Sequence, residues 1–286
     1  MATHLSVRTV LAWLGVLAGI LAPSAGAAPH ESVRLYPVAN VQLFARIAGS
    51  GPPVLFLHGG LSFFDEAFAG QKDYFSAFRT VVGVDQRGHG HSPDNDQPFS
   101  YRQMADDTAA LLKSLGLGPV DVVGHSDGGN VGLLLARYHP EAVRRLVISG
   151  ANLRGDHSGL LAYARLRLQS DEKFTAGLPA PLRAAYARVA PDGDAHWPVF
   201  AAKTRQLWLT WSVLEPEELG AIRIPVLVMA GEHDVVPLEH TRSIAQALPR
   251  GRLCIIAGSG HTTMRDQAQE FNRLTRAFLE QADGAP

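Results

Sequence analysis

The segment Val120-Asp121-Val122-Val123-Gly124-His125-Ser126-Asp127-Gly128-Gly129 constrains this chain more than any other. Val120, Val122 and Val123 give it the β-branched composition of a buried strand, and Asn130 to Tyr138 read as a helix. A strand that turns directly into a helix through Gly-x-Ser-x-Gly brings two backbones too close for side chains at the flanking glycines. It also forces the central residue into a strained conformation with its side chain projecting outward. Ser126 is therefore the candidate nucleophile, and Gly124 and Gly128 are positions that exclude a Cβ.

Partners for such a serine follow downstream. Ile224 to Ala230 is a buried-strand run, ending in a loop, Gly231-Glu232-His233-Asp234, that presents an acid at the strand's C-terminal edge. Arg252 to Ile256 is another strand, followed by Gly258-Ser259-Gly260-His261. Upstream, Val54 to Leu57 leads into His58-Gly59-Gly60, and Val81 to Val84 into Asp85-Gln86-Arg87-Gly88-His89-Gly90-His91-Ser92. Four motifs in this order, with Ser126, Asp234 and His261 in the chain order Ser…Asp…His, resemble the α/β-hydrolase superfamily, in its small esterase- and lipase-like branch. The resemblance runs from about Val33 to about Gln281.

That resemblance implies an eight-stranded, mostly parallel sheet flanked by helices, with a helical cap inserted after the sixth strand. It implies a Ser126, Asp234, His261 triad, and an oxyanion hole made by the backbone N–H groups of Gly60 and Asp127. The reaction implied is hydrolysis of carboxylic esters, lactones included, through an acyl-enzyme, with no cofactor and no metal. The same fold also hosts C–C bond hydrolases, aminopeptidases, cofactor-free perhydrolases and non-catalytic binding members, and the motifs do not separate these. Some members place the acid after the sixth strand, which makes Asp156 an alternative to Asp234. The S-D-G-G form of the elbow is similar to valacyclovir hydrolase-like enzymes, where the acid engages a substrate's amino group. Two readings of Asp127 follow: recognition of a substrate ammonium, or interaction with the positive N-terminus of its own helix.

Composition is consistent with this class. At 286 residues, 46% hydrophobic and 19% charged, the chain can bury a large core, and a net charge of −1 gives no electrostatic case for nucleic acid. Val10 to Ala22 is an apolar stretch after Arg8, broken by Pro23, and Ala25-Gly26-Ala27 fits a cleavage site. Its 13 residues fall short of the roughly 20 that span a bilayer. Residues 1–27 are thus expected to be a signal peptide, residues 28–286 a single domain, and the product periplasmic or secreted. Cys254 is the only cysteine, so no intramolecular disulfide forms.

Elsewhere strands alternate with helices. Ser32–Tyr36 and Val41–Ala48 predict an antiparallel opening hairpin, Ser100–Leu115 a helix capped by Ser100, and Met264–Gln281 one closing helix. Between Asn152 and Gly220 the strand signal stops, and Leu160–Gln169, Pro181–Val189 and Pro198–Leu214 predict helices of a cap over residues 152–220. Its aromatic residues Trp208, Trp211 and Phe200 either pack the cap or line an apolar substrate pocket. Arg165, Arg167, Arg183, Arg188, Lys203 and Arg205 are read as its solvated outer face, with recognition of an anionic substrate by one of them the other reading. Asp94-Asn95-Asp96 reads as a solvated turn. His89 and His91 lie near Asp85, but no further ligands appear at zinc-like spacing.

Overall fold

A computed structural model describes residues 31–153, 170–210 and 213–282. The proposed signal peptide, Asp156, the helix expected over 160–169, Arg165, Arg167 and Trp211 lie outside the described residues.

Strands β1 (Glu31–Val38), β2 (Val41–Ala48), β3 (Pro53–Leu57), β4 (Thr80–Val84), β5 (Val120–His125), β6 (Val143–Ser149), β7 (Val226–Gly231) and β8 (Gly251–Ile256) form one eight-stranded sheet. Their spatial order is β1-β2-β4-β3-β5-β6-β7-β8. β1 pairs antiparallel with β2 as expected, β2 pairs antiparallel with β4, and the remaining neighbours are parallel.

The inner strands are apolar on both faces because both faces are covered. Leu55, Leu57, Val122, Leu146, Ile148 and Val228 join one core. Their alternating neighbours Val54, Phe56, Val123, Val147, Leu227 and Met229 join the other. This is the two-residue period of a strand read on two sides. On the second side Phe56 meets Phe68 and Phe75 with ring centroids 5.1 and 5.6 Å apart.

The helix Tyr101–Ser114 starts as its cap signal predicts, with Ser100 Oγ accepting from the Gln103 N–H. The closing segment departs from expectation. It forms two helices, Thr263–Asp266 and Ala268–Leu279, because Gln267 leaves the helical region (φ −134°, ψ 53°). The short first piece is tied to the preceding loop by Asp266, whose carboxylate accepts from the Gly260 N–H and the Thr262 hydroxyl, each at 2.9 Å.

The cap follows β6 as expected. Its described helices are Asp171–Gly177, Ala180–Val189, Trp197–Thr210 and Pro216–Leu219. The first is a short element that periodicity did not reveal, started by Ser170 Oγ accepting from the Lys173 N–H at 3.1 Å. Asp94 corrects the solvated-turn reading. Its side chain is only 3% exposed and takes His196 Nε2 and Lys203 Nζ, both of the cap, at 2.8 Å each. Lys203 and Arg205 likewise leave the proposed solvated face, since Lys203 is spent on Asp94 and Arg205 pairs with Asp171 at 2.9 Å.

Candidate active site

The turn after β5 has the geometry its sequence demands. Ser126 adopts φ 51°, ψ −117°, among the few non-glycine residues with positive φ. Strain of this kind persists only where the surroundings over-determine the backbone. Here a Cβ on Gly124 would lie 2.3 Å from the Gly128 carbonyl oxygen, and one on Gly128 would lie 2.0 Å from that of Leu57. The Ser126 N–H donates to the Ser149 carbonyl at 2.8 Å, fixing the elbow to the end of β6.

The structure brings the three expected side chains together from the ends of three strands. Ser126 Oγ lies 3.0 Å from His261 Nε2. His261 Nδ1 donates to Asp234 Oδ1 at 2.7 Å. That bond leaves Nε2 unprotonated, as an acceptor for the serine hydroxyl. Asp234 is buried, and its Oδ1 also accepts the Val236 N–H at 3.0 Å. Gly150, which no motif flagged, completes the fit. It takes φ 66°, and a Cβ there would lie 2.7 Å from His261 Cε1. Its only sequence signal is a glycine just past a strand.

His58 and His125 surround this chain as neutral rings. His58 Nδ1 donates to the Gly59 carbonyl at 2.8 Å while its Nε2 accepts the Gln86 N–H at 3.0 Å, which shapes the turn holding Gly60. Burial pushes its pKa down. Burial likewise pushes His125 well below the usual imidazole range, helped by the nearby His261, whose ring centroid is 4.8 Å away. The Asp85–Ser92 loop is a scaffold. Asp85 accepts the Phe64 N–H at 2.8 Å and both the His91 N–H and Nδ1 at 2.9 Å, and His89 Nδ1 donates to the Arg87 carbonyl at 2.9 Å. Burial drives His89 down to about 3.

Asp127 directly follows Ser126, and Gly60 lies against the Asp127 side chain. Among the described residues neither backbone N–H has an acceptor in the loop, turn and cap bonds, as befits a turn and the first residue of a helix. The Asp127 side chain does something neither sequence reading foresaw. Its Oδ1 accepts from the Tyr101 hydroxyl at 2.7 Å and its Oδ2 from Trp208 Nε1 at 2.8 Å. Desolvation pushes this carboxyl up to about 6, against the Trp208 and Tyr101 hydrogen bonds, which pull it down.

Trp208 thus reaches the site, but Phe200 does not line a pocket there. It is 1% exposed, stacked on Tyr186 at 4.7 Å and edge-on to His89 at 4.8 Å, so it packs the cap onto the Asp85–Ser92 loop.

A strained serine between β5 and a helix, with a histidine and a carboxylate on later strand ends of this sheet, defines an enzyme of the α/β-hydrolase class. The chain belongs to the alpha/beta hydrolase family, whose sequence model matches residues 54–274. It is 34% identical over 219 residues to the putative carbamate hydrolase RutD of Caulobacter sp. (strain K31), covering 71% of this chain and 81% of that protein. It is 31% identical over 281 residues to the serine hydrolase BPHL of Homo sapiens, covering 92% of each. Among solved structures it is similar to a membrane phospholipase A described as a bacterial virulence factor, with TM-score 0.74, 22% identity and coverage of 89% and 87%. At that identity the likeness shows the fold alone.

Proposed function

We propose that the protein is a serine hydrolase cleaving carboxylic esters, lactones included, through an acyl-enzyme on Ser126. The observation that carries this is the continuous hydrogen-bond chain from Asp234 through His261 to Ser126 Oγ. A serine hydroxyl is a poor nucleophile until a base takes its proton during attack, and His261 Nε2 is within reach to do so. Asp234 keeps Nδ1 protonated and stabilises the imidazolium that forms. Negative charge develops on the substrate's carbonyl oxygen, where the N–H groups of Gly60 and Asp127 receive it. Loss of one such donor costs about 2.7–4 kcal/mol. The imidazolium then protonates the leaving alcohol, and water activated by the same histidine releases the acid.

The proposal includes export by residues 1–27, with a mature chain starting at Ala28. N-terminal sequencing of the protein recovered outside the cytoplasm checks this, and a retained Met1 would refute it.

The activity test sets residues 28–286 beside the same chain carrying Ser126→Ala. Release of p-nitrophenol is followed from short, medium and aminoacyl esters, and phenol release from a phenyl carbamate. Turnover by wild type that is lost in Ser126→Ala supports the reading. Folded wild type that turns over no ester and resists a fluorophosphonate probe refutes it.

A further inference from the structure

Asp127 holds two partners that acyl transfer by itself does not require. Tyr101, buried in the helix Tyr101–Ser114, belongs to the main domain. Trp208 belongs to the cap helix Trp197–Thr210 and is held edge-on by Phe174, also of the cap, at 5.6 Å. The same groups close on Gly60. A Cβ on Gly60 would lie 2.4 Å from Asp127 Oδ2 and 2.5 Å from Trp208 Cζ2. One hydrogen-bonded unit therefore touches both residues assigned as oxyanion donors, and one arm of it is the cap.

The cap has other ties to the main domain. At its entry Asn152 N–H donates to Asn130 Oδ1 at 2.9 Å and Leu153 N–H to His240 Nε2 at 3.2 Å. Near its exit the Tyr138 hydroxyl of the main domain donates to Glu218 Oε1 at 3.3 Å. Further along, His196 and Lys203 bind Asp94. Among the described residues, the tie made by Trp208 is the one of these that ends on the residue directly after Ser126.

We propose that Tyr101 and Trp208 are positioning residues that hold the Asp127 backbone N–H in donor orientation, so that oxyanion stabilisation depends on a seated cap. The proposal rests on the acyl-transfer reading. The first N–H of a helix has no intrahelical acceptor, so its direction follows the backbone at Ser126 and Asp127. That backbone is strained and needs external restraint. A side chain fixed at both carboxylate oxygens supplies it. The two donors also draw Asp127's charge toward themselves and away from an oxyanion forming beside it.

Steady-state kinetics on p-nitrophenyl butyrate test this with Trp208→Phe, Tyr101→Phe, the double variant and Lys203→Met, each with a thermal midpoint. Each Phe variant is expected to lower kcat about tenfold with KM within about twofold, since a misdirected donor is felt in the transition state. The double variant is expected to be little worse than the worse single one, because both act through one carboxylate. Lys203→Met, which removes one of the cap's ties to Asp94 and leaves that of His196 to keep the cap seated, lowers the thermal midpoint and leaves kcat in place. Should Trp208→Phe fold poorly, Tyr101→Phe, which removes a single oxygen, decides the matter.

The proposal is overturned by Phe variants that keep wild-type kcat, by an effect confined to KM, or by an equal kcat loss in Lys203→Met. A wild type without Ser126-dependent turnover removes the acyl-transfer reading and this proposal together. An active wild type with unaffected Phe variants removes this proposal alone.

Discussion

Adjacent glycines in the helix Asp127–Tyr138 offer a sharp test of the elbow. A Cβ on Gly128 would lie 2.0 Å from the Leu57 carbonyl oxygen, 2.4 Å from its carbon and 2.6 Å from the His58 carbonyl oxygen. Against an ordinary contact of 3.4 Å, the helix start or the end of β3 must retreat by about 1.4 Å. Every atom struck is backbone, so no rotamer change relieves it. A Cβ on Gly129 meets the Ala151 methyl at 3.0 Å and nothing else closer than 3.5 Å, which a shift of about 0.4 Å accommodates. Replacing a helical glycine by alanine gains about 0.5–1 kcal/mol. Gly129→Ala is therefore expected within about 1 kcal/mol of wild type, and Gly128→Ala to lose at least about 3 kcal/mol. Because Gly128 lies two residues after Ser126, that displacement carries the nucleophile with it. Gly128→Ala should then label with a fluorophosphonate at least about tenfold more slowly even at temperatures where it is folded. Urea denaturation and labelling rates measure both quantities. Equal stability of the two variants, or Gly128→Ala within about 1 kcal/mol of wild type, would refute the close-approach reasoning.

Other tests address charge. The Asp127 carboxyl is raised from 3.8 to about 6, so the folded chain retains a proton that the unfolded chain releases, and stability falls as pH rises through that window. Asp127→Asn is expected to match wild type near pH 4 and to exceed it by about 1–3 kcal/mol at pH 7; a pH-independent gap in urea denaturation would contradict this. Asp121 lies fully buried between Arg79 and Arg144, and Asp121→Ala leaves a buried guanidinium unpaired. A loss of about 3–5 kcal/mol in urea denaturation is expected, and one under about 1 kcal/mol would contradict it. In Asp234→Asn, the Val236 N–H and His261 Nδ1–H both point at one oxygen, so the amide oxygen must take that place and the histidine keeps its productive tautomer. The charge is lost, about 4 kcal/mol at an effective dielectric near 20, or roughly 10³-fold in kcat/KM. A loss of about 10⁴-fold or more would show the amide turned the other way.

The sequence alone determined what depends on neighbours along the chain. The β-branched run before Gly124, the two elbow glycines and the Ser100 cap are local signals, and each sits where they put it. Strand ends carrying Asp234 and His261 were legible for the same reason, because turns declare themselves through glycine and strands through apolar runs. The tertiary structure decided which distant groups meet. That Phe200 packs against Tyr186 and His89, that Asp94 is buried under Lys203 and His196 of the cap, and that Asp127 receives Tyr101 and Trp208 all depend on how the cap folds back over the sheet. Those contacts join residues 14 to 111 positions apart. No local periodicity encodes them, since a hydrogen bond between two helices depends on the path of the chain connecting them.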